Sequence, residues 1–154
     1  MKSKPLFDLF EQVFDISNKL TELDRTPQHF GVDVPITRAE IHLVATIAGH
    51  DGCSVTELAQ EKGVTKGAIS QLLAKLEPKG LVEKQADPAN ISRLLIRLTP
   101  KGVKANEYHD QVHEMIYQAF IEEVGDLDEE SFEFLQSFFS KCQTLLDNWI
   151  VGMK

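Results

Sequence analysis

The stretch between residues 54 and 99 constrains the chain most, because helix starts, a glycine stop and two extended segments follow one another there at short intervals. Ser54-Val55-Thr56-Glu57 is a capping box, in which the hydroxyl and the carboxylate satisfy free amides at a helix start. It opens a short helix with Leu58 and Ala59 inward, and Gly63 suits a left-handed C-terminal cap. Thr65 then caps a further helix whose apolar set is Ile69, Leu72, Leu73 and Leu76, ended by Gly80. Residues 81–85 and 94–98 read as strands. In the second, Leu94, Ile96 and Leu98 alternate with Leu95 and Arg97. Asp87-Pro88-Ala89-Asn90 supplies the turn between them. Helix, glycine turn, helix and hairpin, in that order, predict a winged helix-turn-helix.

The flanks are helical. Thr37-Arg38-Ala39-Glu40 is a second capping box, and its helix runs through Ile41, Val44, Ala45 and Ala48 to stop near Gly49 or Gly52. Upstream, residues 5–23 space Leu6, Leu9, Phe10, Val13, Ile16 and Leu20 by three and four, with Phe7 and Phe14 widening the apolar face. Pro27, Gly31 and Pro35 mark a loop. Downstream, Thr99-Pro100 starts a helix that continues to about Val124. Asp128 caps the last helix, whose broad stripe includes Phe132, Leu135, Phe138, Phe139, Cys142, Leu145, Leu146 and Trp149. The expected fold is mainly α with a small β-hairpin wing. Three parts are expected: residues 1–36, an N-terminal helix and loop; 37–99, the winged helix-turn-helix; and 100–154, the C-terminal helices.

The formal charge of −8 argues at first against a nucleic-acid partner. Its distribution argues for one. Residues 54–104 hold nine basic and five acidic side chains, net +4, which leaves −12 on the rest of the chain. Local charge is what a phosphate feels within a Debye length of about 8 Å. The helix opened by Thr65 has the chemistry of a reading head. Thr65, Lys66, Gly67, Ala68, Ser70 and Gln71 are small or hydrogen-bonding, so its first turns can enter a major groove about 12 Å wide. Gln71 can pair with adenine, and Lys66 with guanine or a phosphate. Lys75 and Lys79 lie further along, toward the backbone. Ser54 and Arg93 complete the candidate DNA-binding set, with Lys84 beside Arg93 on the hairpin. The competing reading is a winged helix that serves only as a protein-interaction module.

Other classes find little support. No stretch reaches the roughly 18 apolar residues of a membrane span, and Asp8, Glu11 and Asp15 interrupt any signal-peptide core. A soluble cytoplasmic protein is expected. Catalytic signatures are missing: there is no glycine-rich phosphate loop and no GxSxG elbow, and His109, His113 and Glu114 lack the HExxH order. Cys53 and Cys142 form no CxxC pair. Cys53 precedes a helix start, where the dipole could lower its pKa, Cys142 falls on an apolar stripe and is expected in the core, and redox sensing is not expected of either.

The run SVTELAQEKGVTKGAISQLLAKLEPKGLVEK, followed by DPANISRLLIRLTPKG, resembles the multiple-antibiotic-resistance regulator (MarR) family over nearly the whole chain. The resemblance implies a DNA-binding transcription regulator, usually a repressor, that responds to a small ligand or metal. It also implies that the outer helices interlock two chains into a homodimer, which would read a palindromic operator. One motif departs from the family. Its wing usually reads DPxDRR, and here Asn90, Ile91 and Ser92 occupy the DRR positions. The Asp–Arg pair that braces the wing is therefore expected to be missing, with Arg93 as a displaced wing arginine.

His109-x-x-x-His113 puts two imidazoles on one helix face, the geometry that chelates one metal ion. His42 could add a third nitrogen and Asp24 an oxygen, a set suited to zinc. This set resembles that of the zinc-responsive branch of the family. The second site of that branch is not reproduced, since Phe30, Ile41 and Tyr108 stand where its ligands would be. The alternative is that the histidines line the dimer or an organic-effector pocket.

Overall fold

A computed structural model describes residues 4–50, 52–88 and 90–152, with all their side chains except those of Leu6, Asp24, Ile91 and Ser92. In chain order the elements are α1 (Lys4–Arg25), α2 (Arg38–Ala48), α3 (Val55–Lys62), α4 (Lys66–Leu76), β1 (Val82–Asp87), β2 (Asn90–Leu98), α5 (Pro100–Val124) and α6 (Glu129–Gly152). They divide into two compact units, residues 1–112 and 113–154, and the boundary falls inside the unbroken helix α5.

In the first unit the capping chemistry forms as the sequence dictates. Thr37 and Ser54 each accept the N–H of the residue three positions on, and Glu40 and Glu57 each accept the cap's own N–H. Gly63 takes φ 64° and ψ 28°, which glycine adopts without a Cβ penalty. The turn into α4 is thereby tight, and Thr65 caps α4 through Ala68 N–H at 3.2 Å.

The core of this unit is one cluster. Ile41, Leu43, Val44 and Ile47 of α2 meet Leu58 of α3, Ile69, Leu73 and Leu76 of α4, and Ile96 of β2. In α2, Leu43 and Ile47 turn inward, while Ala48, expected on the apolar face, is exposed. In α4, Leu73 is buried and Leu72 only partly so.

The hairpin is longer than its sequence pattern. β2 begins at Asn90, and Asp87 pairs with Asn90. The register shifts between Ala86, opposite Leu94, and Asp87, so residues 91–93 stand outside the paired ladder. Cys53 adds a one-residue bridge to the far edge of β2, its N–H and C=O bonding Ile96 at 3.2 and 2.7 Å. Gly102 of α5 is also required. A Cβ there would overlap the carbonyl oxygen of Leu81, so only glycine lets α5 approach the base of the wing.

The second unit carries the rest of α5 and α6. Gly125 turns the chain at φ 75°, and Asp128 caps α6 through Ser131 N–H at 2.8 Å. No residue of α6 is buried. Phe132, Phe134, Phe139 and Trp149 are all more than half exposed. Cys142, expected in a core, is partly exposed.

Candidate nucleic-acid interface and histidine cluster

Helix α4 separates its two faces cleanly. Ile69, Leu73 and Leu76 anchor it in the core, while Lys66, Gly67, Ser70, Gln71 and Lys75 face solvent and Ala68 lies between. Ser70 and Gln71 therefore share an outward stripe with Lys66, Gly67 and Lys75, as the three- and four-residue spacing of a helix requires. Thr65 is exposed at its N-terminal end. Among the described residues, neither Lys66 nor Lys75 forms an ion pair.

The other expected contacts are arranged differently. Ser54 gives both its N–H (2.7 Å) and its hydroxyl (2.8 Å) to Glu57 Oε2. Arg93 lies at the shifted part of the hairpin, where its Nη2 donates to both carboxylate oxygens of Glu57 at 2.7 and 2.8 Å. Its Nη1 is 3.7 Å from Asp87 Oδ2. The brace expected to be missing from the wing is thus supplied by a residue of α3. Glu57 is held well below the usual carboxylate range, at about 2, first by the Ser54 amide, then by the Ser54 hydroxyl, then by Arg93. Lys84 bonds Glu77 at 2.7 Å. Lys79 reaches no outward face: its Nζ donates to Glu40 Oε2 at 2.7 Å and to Pro35 O at 2.8 Å. Glu40 is 2% exposed. Burial opposes its ionisation, but the Lys79 ammonium and the Thr37 N–H prevail and hold its pKa below the ordinary value.

Sequence reasoning missed these two tasks, although it found both glutamates as capping partners. The partners of Glu57 and Glu40 lie 36 and 39 residues away, and nothing in the local pattern marks them.

The histidines are brought together. His42 on α2 and His109 on α5 stand edge to face with centroids 5.3 Å apart, and a ring nitrogen of each lies within 4.8 Å of the other. His109 is 8% exposed, and Phe30, held at φ 42°, packs against it at 5.9 Å. His113 follows one helical turn after His109 on α5, as the first residue of the second unit. Two nitrogens on one tetrahedral zinc lie about 3.4 Å apart, given bonds of about 2.0–2.1 Å. That separation falls within the 4.8 Å bound on the His42 and His109 nitrogens, and imidazole is a donor that zinc takes, so the pair is of a kind and spacing that suits the ion. The side chain of Asp24, the expected oxygen ligand, lies outside the described residues.

Cys53 corrects an expectation. Its thiol is 2% exposed, and burial, followed by the charges of Glu57 and Glu61, pushes its pKa up to about 11. Desolvation outweighs the helix start. Elsewhere in the chain, no helix of the described residues is long and apolar enough to cross a membrane.

A trihelical core, an outward polar face on its third helix and a hairpin sewn to its edge define a winged helix-turn-helix protein. Residues 34–90 match the sequence profile of the MarR family. The chain is 27% identical over 129 residues to YhjH, an uncharacterized HTH-type transcriptional regulator of Bacillus subtilis, covering 84% of this chain and 72% of that one. ZitR, a zinc-responsive MarR family member of Lactococcus lactis, shares the fold. Its structure in complex with DNA gives a TM-score of 0.73 at 19% identity, over 92% of this chain and 97% of that one. A mutant of S. aureus MepR bound to an oligodeoxyribonucleotide matches with a TM-score of 0.52 at 26% identity, over 92% and 95% of the two chains. The winged-helix segment thus carries the pattern of the MarR family, and the chain shares its fold with regulators of that family.

Proposed function

We propose that the protein is a homodimeric repressor that reads a palindromic operator with α4 and responds to zinc. The observation that carries the DNA-binding reading is the outward face of α4, where Lys66, Gly67, Ser70, Gln71 and Lys75 project from a helix locked into the core. Gln71 would take an adenine edge, Lys66 a guanine or a phosphate, and Lys75 the backbone beside them. MepR in its DNA-bound form supports the reading by likeness. Selection from random-sequence duplex DNA tests it. We expect enrichment of an inverted repeat whose half-sites lie about one helical turn apart, and no enrichment by a Lys66→Ala/Gln71→Ala variant. If the wild type enriches nothing at low salt, with or without zinc, the reading falls.

The dimer is supported by apolar faces that the single chain leaves open. Phe7 and Phe14 of α1 and Phe132, Phe134 and Trp149 of α6 are each between 56 and 67% exposed. Patches of this kind mark association surfaces. Light scattering should give twice the chain mass, and a monomer at micromolar concentration would refute the assembly.

His42, His109 and His113 would hold the zinc. Bound there, the ion supplies a fixed tie between α2 and α5, and α2 shares its core with α4. Zinc would then bias the placement of the reading helix, and DNA would raise zinc affinity by the same factor. Elemental analysis of wild type beside a His109→Ala/His113→Ala variant tests the ligands, with about one zinc per chain expected only in the former. Equal zinc in both would remove the site.

A further inference from the structure

The arginine of the wing is held by the protein's own carboxylate. Arg93 forms a two-bond contact with Glu57 at 2.7 and 2.8 Å, on side chains 41 and 51% exposed. The arrangement follows from the backbone. The bridge between Cys53 and Ile96 pins β2 beside the residue that precedes α3. The register shift leaves residues 91–93 outside the ladder, and such a bulge re-aims a side chain. Glu57 is fixed in turn, because the same Oε2 takes the Ser54 N–H and hydroxyl. It cannot swing away from Arg93 without opening the α3 cap.

We infer that Glu57 is an internal competitor for the wing arginine, and so a residue that sets DNA affinity without touching DNA. The N–H groups of a guanidinium donate to carboxylate and phosphate oxygens alike, and here Nη2 is taken by Glu57 while Nη1 lies 3.7 Å from Asp87. Arg93 can therefore serve a DNA phosphate only by exchanging one anion for another. The wild-type wing then stays on α3 and adds little to the count of phosphate contacts. Lys84 is withdrawn in the same manner by Glu77 at the end of α4. The inference rests on the DNA-binding reading above.

Glu57→Gln tests it, because glutamine at that position keeps the capping box. The probe is a fluorescent duplex selected from random sequence by the wild type, titrated across a salt series. The variant should bind roughly two- to fivefold more tightly at low salt, the range expected for an exposed ion pair. Its log–log salt slope should steepen by about 0.9, one added phosphate contact. In an Arg93→Ala background the same substitution should change neither quantity. A gain that persists in that background would show that the lost negative charge acts by itself, and no gain or weaker binding would show that the pair only positions the wing. Either result overturns the inference.

A wild type that selects no duplex is a failure of the DNA-binding reading, and the intramolecular contact is then decided on the free protein. Hydrogen exchange at residues 90–97 should quicken in Glu57→Gln by more than it does in the buried faces of α2 and α4. Unchanged exchange would overturn the contact itself.

Discussion

Helix α4 and the wing are both cationic in sequence, yet they use their charge in opposite ways. Lys66 and Lys75 of α4 project from its outward face. Arg93 and Lys84 of the wing lie on Glu57 and Glu77 of the helices behind it. A count of basic residues treats the two regions alike. The structure leaves one set projecting from an outward face and matches the other with carboxylates, so on the proposed DNA-binding function specificity should reside in α4 and shape in the wing.

The comparison breaks most severely if the wing loses its base. Gly102→Ala drives a Cβ into the Leu81 carbonyl, which is backbone and cannot rotate aside. A loss of about 3 kcal/mol or more is expected from such overpacking. Denaturant unfolding measures it, and a loss below about 1 kcal/mol would show that α5 shifts freely against the hairpin.

The end of α4 gives the next largest effect. Lys79→Met leaves Glu40 buried with no cation beside it, which should cost about 3 kcal/mol near neutral pH, since Lys79 is itself about a quarter exposed. The sign with pH is informative. With Lys79 present, Glu40 has a lowered pKa, so its contribution holds above its ordinary value of 4.5 and fades as pH falls. Without Lys79, burial is opposed only by the Thr37 hydrogen bonds and the pKa rises from its wild-type position, so the deficit of the variant should shrink on acidification. A deficit that does not change with pH would mean that Glu40 is not the group left stranded.

The reading surface itself is sharpened by a pair of substitutions on the selected duplex. Gln71→Ala should weaken binding roughly five- to hundredfold and relax preference at one base pair, as loss of a base-edge contact does. Arg93→Ala should change affinity by less than about threefold, because the wild-type arginine is already engaged. The reverse order would make the wing the reading element.

Much of this molecule was legible because its signals are local. A hydroxyl three residues before a glutamate fixed the starts of α2 and α3, and Gly63 fixed the turn between α3 and α4. The buried face of α4 followed from the spacing of Ile69, Leu73 and Leu76. What stayed hidden is long-range. Glu57 to Arg93 and Glu40 to Lys79 join residues that no periodicity relates, and the register shift that brings Arg93 back to α3 is set by pairing across the hairpin. Cys53 failed for a related reason. Its place before a helix start is local, while its burial and its nearness to Glu61 come from the assembled fold. In the native protein its thiol, with a pKa of about 11, should hold only about one thiolate in a thousand at pH 8. A thiol reagent should therefore label the partly exposed Cys142 first, and equal labelling would contradict the burial of Cys53.

The smallest expected effect probes the strap directly. Glu57 has its pKa drawn down to about 2 from an ordinary 4.5. Its contribution is therefore complete above about pH 4.5 and is lost as pH falls toward 2. The Ser54 amide ranks first among the causes and survives both substitutions, so Arg93→Ala and Ser54→Ala should each raise this pKa and neither should restore the ordinary value. A carbon-detected NMR titration of the Glu57 carboxyl resolves the three proteins. If Arg93→Ala leaves the titration where it was, the guanidinium is not on Glu57 in solution, and the wing's charge would return to the same uncommitted state as that of α4.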